Sequence, residues 1–353
     1  MSSQQSATIT AAAATFGLVA VSIYFLVVGR DVLVPLVLGL FIAYLIIALA
    51  HAIGRVRIGA WSPAPWQSLS TSIFGLLIVL VGLVELIAGN IGLAVEAAPL
   101  YQTRFEQLLS DLNNVLAASF GRKEGLSLTS VVEQIDLRSL AGKFAAALQS
   151  VVANTFEIAI YVVFALLEHR TLDRKLTAVF PEPGPQQTVR AALGQIGSRI
   201  EAYVLIKTLV SLMVAAATYV ILTISGVDFA AFLALLVFLL NFIPYVGAAI
   251  GVVLPSLLAL LQFGSVSLMA IVAGALVVAF GLIGNFIEPR LLGRSLNLSP
   301  LLMIVSLAAW GEIWGVTGML LSVPLMVMLM IALGQFPRTR PIAVFMSESG
   351  DKS

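Results

Sequence analysis

The sequence predicts an all-α, polytopic transmembrane protein with about six full spans, two broken or re-entrant helical hairpins and a small extracytoplasmic amphipathic helical insert. Three observations carry this expectation. Of 353 residues, 60% are hydrophobic and 10% charged, against about 45–50% and about 25% in soluble domains. The apolar residues gather in runs near the roughly 20 residues that a helix needs, at 1.5 Å rise, to cross about 30 Å of hydrocarbon. In the last third, two runs exceed that length and carry helix breakers near their middles.

Taken in order, residues 9–28 form the first run. Residues 1–10 contain no Lys or Arg, so the run lacks the basic flank of a secretory signal and is expected to stay as a helix. Residues 32–53 follow the short turn Gly29-Arg30-Asp31, which predicts an antiparallel pair, and residues 70–95 make the third span. Behind Pro99, well suited to a helical first turn, Phe105, Leu108, Leu109, Leu112, Val115 and Leu116 recur at three- and four-residue spacing. A glycine-bounded loop, residues 121–125, leads to a capping box at Ser130-Val131-Val132-Glu133, after which Leu137, Leu140, Phe144 and Leu148 repeat the stripe. Residues 150–167, 203–224 and 271–287 are the remaining simple spans. Between the first two of these, Val189, Leu193, Ile196 and Ile200 make an amphipathic connector.

The two long runs occupy residues 229–263 and 301–333. The first breaks at Asn241-Phe242-Ile243-Pro244-Tyr245-Val246-Gly247 and the second at Gly311-Glu312-Ile313-Trp314-Gly315. Proline removes an amide donor, and backbone groups freed at membrane depth are tolerated only where protein or a wet cavity receives them. The domain plan is therefore 1–95 scaffold helices, 96–149 outside insert, 150–202 fourth span and connector, 203–335 transport region and 336–353 tail. Short loops rich in Lys and Arg lie on the cytoplasmic side. Arg55 and Arg57, the group Arg170, Arg174, Lys175, Arg190 and Arg199, and Arg338 and Arg340 place both termini there, with Arg290 and Arg294. Trp61 and Trp66 read as interface anchors.

Several classes are excluded. The net charge of +1 gives no reason to expect a nucleic-acid partner, and the absence of cysteine removes disulfides and thiol chemistry. There is no phosphate loop and no His-Glu-x-x-His, and the two histidines, His51 and His169, fall on separate helix ends. An enzyme is not expected, nor a cofactor or a metal. What remains is transport across the bilayer, set against a non-transporting membrane scaffold with a dry, packed midplane.

The order of these pieces resembles the autoinducer-2 exporter family of bacterial membrane proteins over nearly the whole chain. The resemblance rests on Glu168-His169-Arg170 to Lys175, Tyr203 with Lys207, the Asn241 to Gly247 motif, Asn285 to Arg294, Leu298-Ser299-Pro300-Leu301-Leu302 and Gly315 to Pro324. It implies a transporter of the bacterial inner membrane and a homo-oligomer, a pentamer. Its cargo is a small polar solute such as autoinducer-2, or Na+ or H+ in exchange. The chain departs from the family pattern where Ala248-Ala249 follows Gly247 and where Ser299 stands in place of a histidine. These departures bear on the substrate and on proton coupling, not on the fold.

Candidate pathway residues are Asn241, Pro244, Gly247, Asn285, Glu288, Pro289, Arg290, Arg294, Gly311, Glu312 and Gly315. A charge at bilayer depth costs about 2.5–3.5 kcal/mol on insertion scales, so such residues line pathways or pair with one another. Asn285 and Glu288, three apart, are expected on one helical face, with Arg290 or Arg294 as the partner of Glu288 if it is structural. Glu312 lies where opened carbonyls and a carboxylate suit a cation. Glu85, sixteen residues into the third span, is expected to be buried; with Glu288 and Glu312 it is a candidate for proton or ion coupling. Lys207 is expected to reach the cytoplasmic interface along its own stem. The glycine pairs Gly247/Gly251 and Gly311/Gly315 have the spacing of close helix packing.

Overall fold

Helix α1 (Gly17–Val28) is joined to α2 (Arg30–Gly54) through Gly29 alone. The Gly29 N–H bonds the Phe25 carbonyl at 2.8 Å, and the Gly29 carbonyl accepts from Leu33 at 2.9 Å. The expected three-residue turn is therefore a single-residue joint, and Arg30 and Asp31 belong to α2. The computed structural model describes residues 17–55, 63–120, 155–292 and 298–348. The capping box at Ser130, the second stripe of the insert, Trp61 and Arg294 fall outside them.

Helix α3 (Pro65–Phe120) runs unbroken for 56 residues with Pro99 inside it. The expected separation into a span and an insert helix at Pro99 is thus corrected for the residues up to Phe120. A proline in a helix interior costs about 3 kcal/mol. Docking of the far half of α3 opposes this cost: Tyr101 Oη donates to Asp228 Oδ2 at 2.9 Å and Arg104 Nη1 to the Leu261 carbonyl at 3.5 Å.

Helices α4 (Thr155–Val179) and α5 (Pro183–Ile224) follow, the latter 42 residues long because the amphipathic connector continues directly into the fifth span. Beyond the apolar stretch they are tied by Arg190 to Asp173 at 3.0 Å and Gln186 to Thr177 at 2.8 Å. Next come α6 (Ala230–Leu240), α7 (Val246–Phe263), α8 (Val266–Leu282), a π-helical segment (Ile283–Ile287), α9 (Glu288–Leu292), α10 (Pro300–Gly334) and α11 (Arg340–Met346). Among the described residues the sole strand-like feature is an isolated bridge between Leu298 and Ser347.

Six helices are long and apolar enough to cross a membrane among the described residues: Arg30–Gly54, Pro65–Gly82, Gln186–Ile224, Val246–Phe263, Val266–Leu291 and Pro300–Gly334. The chain is an all-helical, polytopic membrane protein. Its residues fall into two compact units, one of residues 1–45, 156–203 and 294–353 and one of residues 46–155 and 204–293.

The second of these units holds the first broken hairpin. The five residues Asn241 to Tyr245 separate α6 from α7, which pack against each other. The two outer ends meet: Gln262 Oε1 accepts from the Asp228 amide at 2.8 Å and Gln262 Nε2 donates to the Gly226 carbonyl at 3.0 Å. A helix of 11 residues reaches about 16 Å, near half of a hydrocarbon slab about 30 Å thick. The two arms therefore fold back on each other as an antiparallel hairpin. At its apex a Cβ on Gly247 would overlap the Leu240 carbonyl oxygen, so only glycine admits this approach. The apolar core behind it, Val210, Leu222, Leu233, Val237, Ala259, Val272, Leu276 and Phe280, comes from α5 to α8.

The other unit holds the second hairpin. Ser306 Oγ donates to the Ser322 carbonyl at 3.2 Å, although sixteen residues of straight helix would hold them about 24 Å apart. The chain reverses at Gly315, whose φ of 63° and ψ of −144° lie outside any helix. Ahead of the reversal Trp314 donates from Nε1 to the Leu26 carbonyl at 3.0 Å, close to the Gly29 joint. The tail does not hang free: α11 returns to the mouth of this hairpin, where the Ser299 amide bonds the Met346 carbonyl at 3.1 Å.

Candidate functional site

Helix α5 sets the frame of the site. Lys207, Ser211, Val214 and Thr218 recur at four- and three-residue spacing, which places them on one face, and all four are buried. Two polar residues from other elements meet that face. Asn241, at the start of the break in the first hairpin, donates from Nδ2 to Ser211 Oγ at 2.9 Å. Lys207 Nζ donates to Glu288 Oε1 at 2.6 Å, the side chains being 8% and 21% exposed. The two contacts are one helical turn, about 6 Å, apart along α5. Thr218 turns its hydroxyl back to the Val214 carbonyl at 2.9 Å, so the reactive polarity sits at Lys207 and Ser211.

The break that presents Asn241 is strained as well as open. Its amide still bonds the Val237 carbonyl at 2.9 Å, but Pro244 has no N–H to give, and Tyr245 adopts φ 63°. Phe229, at the entrance to the hairpin, has φ 58°. Non-glycine residues held in this region cost about 1–3 kcal/mol each and gather where a segment moves or binds.

Glu288 reaches Lys207 because of the π-helical segment just before it. The Glu288 amide bonds the Ile283 carbonyl, five residues back, so the turn carries an extra residue and everything after it is rotated. This overturns three expectations. Asn285 is exposed while Glu288 is half-buried, so they do not share a face. The partner of Glu288 is Lys207, whereas Arg290 and Pro289 are exposed. Lys207 does not run to an interface; it is 7% exposed and ends on a carboxylate. An ion pair taken out of water gains little net stability, while removing one partner costs about 3–5 kcal/mol. Its presence in an otherwise uncharged core fits a pathway or switch better than a scaffold.

The remaining candidates are elsewhere. Gly311, Glu312 and Gly315 lie at the reversal of the second hairpin, in the other unit, where Glu312 is exposed and Gly311 faces the Met319 side chain. Glu85 is exposed on the protein surface. The helix starts at Pro65, so Glu85 lies about 30 Å along it.

Ser211 was the residue that sequence reasoning missed. Its signal was available: a hydroxyl one turn after a lysine in an apolar helix, in step with Thr218. A cleft of about 420 Å³ was also missed; it is lined by Arg104, Gln107, Leu108, Gln262, Phe263 and Gly264 at the open end of the first hairpin. Beside it Tyr101 is pushed up to about 12 by burial and by its hydrogen bond to the Asp228 carboxylate, with the nearby Arg104 charge acting the other way.

Comparison with known proteins agrees with this architecture. A sequence model described as AI-2E family transporter matches residues 15–338. A putative transport protein of Haemophilus influenzae is 30% identical over 329 residues, covering 92% of each chain. The AI-2 transport protein TqsA of Escherichia coli K12 is 28% identical over 327 residues, 91% of this chain and 90% of its own. The putative transport protein YhhT of the same strain is 28% identical over 297 residues, 84% of this chain and 82% of its own. With broken hairpins, apolar spans and a match over almost its full length, the chain belongs to the AI-2E family of transporters, multi-pass proteins of the inner membrane.

Proposed function

We propose that this protein is a secondary transporter that exports a small polar solute such as autoinducer-2, by alternating access driven by an ion gradient, with both termini cytoplasmic. The observation that carries the reading is the polar seam on α5. An opened, strained hairpin presents Asn241 to Ser211, and one turn away a buried ion pair joins α5 to the π-helical segment. Discontinuous helices that meet near mid-membrane are the usual place for solute and coupling ion in such carriers. The name of TqsA supports the choice of solute.

Sodium/proton exchange on the same fold is the second reading, favoured by the Glu288 carboxylate inside the seam. Assembly is a homo-oligomer, a pentamer, with residues 1–95 as scaffold. In proteoliposomes with sodium and pH gradients imposed separately, the leading reading expects labelled autoinducer-2 to move, and Glu288→Gln and Glu312→Gln to slow it without loss of assembly. Cation exchange in the absence of solute flux would select the second reading. Wild-type flux from both variants would remove these carboxylates from the mechanism.

A further inference from the structure

We infer that Lys207 is a tethered competitor for the transported cation: the Glu288 carboxylate holds either the Lys207 ammonium or a small monovalent cation, Na+ or H+, and the exchange releases α5 from the π-helical segment. The inference rests on the transporter reading for its purpose, but not for its chemistry.

Between residues 204 and 292 the charged side chains are Lys207, Asp228, Glu288 and Arg290. Asp228 accepts from Tyr101 at the open end of the first hairpin, and Arg290 is exposed. Helices α6, α7 and α8 carry no charge at all. Among these four, Lys207 and Glu288 pair with each other at 2.6 Å, and breaking the pair without another charge in its place is costly. A carboxylate held by an ammonium is already shaped for a small cation. Ser211 Oγ, which accepts from Asn241 Nδ2, stands one turn further along α5. When Na+ binds Glu288 or a proton forms an O–H bond on it, Lys207 keeps its charge and loses its anchor. The lysine must then turn away, and the ion pair between α5 and Glu288 at the end of the π-helical segment is broken. A π-helical turn can revert to α-helix by shifting one residue, so it is a natural place for that release.

The test is thermal unfolding of the purified full chain in detergent, titrated with NaCl against choline chloride at constant ionic strength, and with acid in choline alone. A ligand that binds the folded state raises the midpoint, and occupancy of Glu288 by Lys207 lowers its apparent affinity. The expected result is a saturable rise with Na+ or, where the proton is the exchanging cation, a Glu288-dependent component of the acid response. Its half-saturation should fall by about tenfold or more in Lys207→Gln, remain near wild type in Lys207→Arg, and the response should vanish in Glu288→Gln. Should Lys207→Gln lose folded protein, Lys207→Gln/Glu288→Gln, which removes both charges, serves as the control; recovery of folding with no cation response agrees with the exchange. An unchanged half-saturation in Lys207→Gln, or a response that survives Glu288→Gln, overturns it. A Glu288-dependent response without vesicle flux would keep the exchange and reject the transporter, and flux with a Lys207-independent cation requirement would do the reverse.

Discussion

The two hairpins solve one problem with different chemistry. Each brings a helix back on itself, and each needs a glycine pressed on a carbonyl oxygen seven or eight residues earlier, Gly247 on Leu240 and Gly318 on Trp310. The first opens five residues, places a proline among them, and holds Phe229 and Tyr245 in left-handed backbone. The second reverses at Gly315 alone and is pinned by Ser306 to Ser322 and by Trp314 to Leu26. Strain and a side-chain amide turned to a neighbouring helix belong to the first, closure to the second. The difference teaches that a broken helix is not by itself a site. What sets the first hairpin apart, and carries the proposed reading, is a break that points a side-chain amide at a polar face of α5.

The most severe way to break the comparison is to remove what the hairpins share. Gly247→Val and Gly318→Val should each cost more than about 4 kcal/mol and leave little monodisperse protein on size exclusion. Equal damage confirms the common backbone contact, and a tolerated Gly318→Val would refute it. Next is the polarity they do not share. Lys207→Met leaves the half-buried Glu288 without its cation and should cost about 3 kcal/mol in urea unfolding, with much of it recovered in Lys207→Met/Glu288→Leu.

Smaller effects sharpen the contrast. Tyr101→Phe loses a hydrogen bond to a carboxylate at the open end of the first hairpin, about 1.5 kcal/mol. Tyr101 is held above the ordinary tyrosine value of about 10, at about 12. Its neutral form is thus favoured by folding, so the contribution is whole below about pH 10 and fades as pH rises through about 12. The wild type should lose that advantage over Tyr101→Phe in this alkaline window, and a gap that widens there would contradict the assignment. Strain separates the hairpins last: Tyr245→Gly should stabilise by about 1 kcal/mol, whereas Gly315→Ala should destabilise by about as much. Calorimetry that gave both substitutions the same sign would erase the distinction.

Much of the fold was legible because membrane crossing is a matter of length and hydropathy, and both hairpin breaks were marked by Pro244, Gly247, Gly311 and Gly315. The site was less legible. Helical spacing put Asn285 beside Glu288, but one extra residue in the π-helical turn separated them, and no local pattern announces such a turn. The start of α3 at Pro65 could not be read from hydropathy, and a shift of five residues is about 7 Å along a helix. Pro99 was read as a helix start since that is where proline fits best alone, while contacts made over a hundred residues away keep α3 continuous through it.

By itself the sequence determined that the chain lies in a membrane, how many apolar helices it can lay across it, and where two of them must bend, because each follows from transfer energy and backbone valence summed along the chain. Which polar residues meet was decided by tertiary structure alone. Lys207 and Glu288 are 81 residues apart, and only the packing of α5 against the π-helical segment turns two costly charges into one pair.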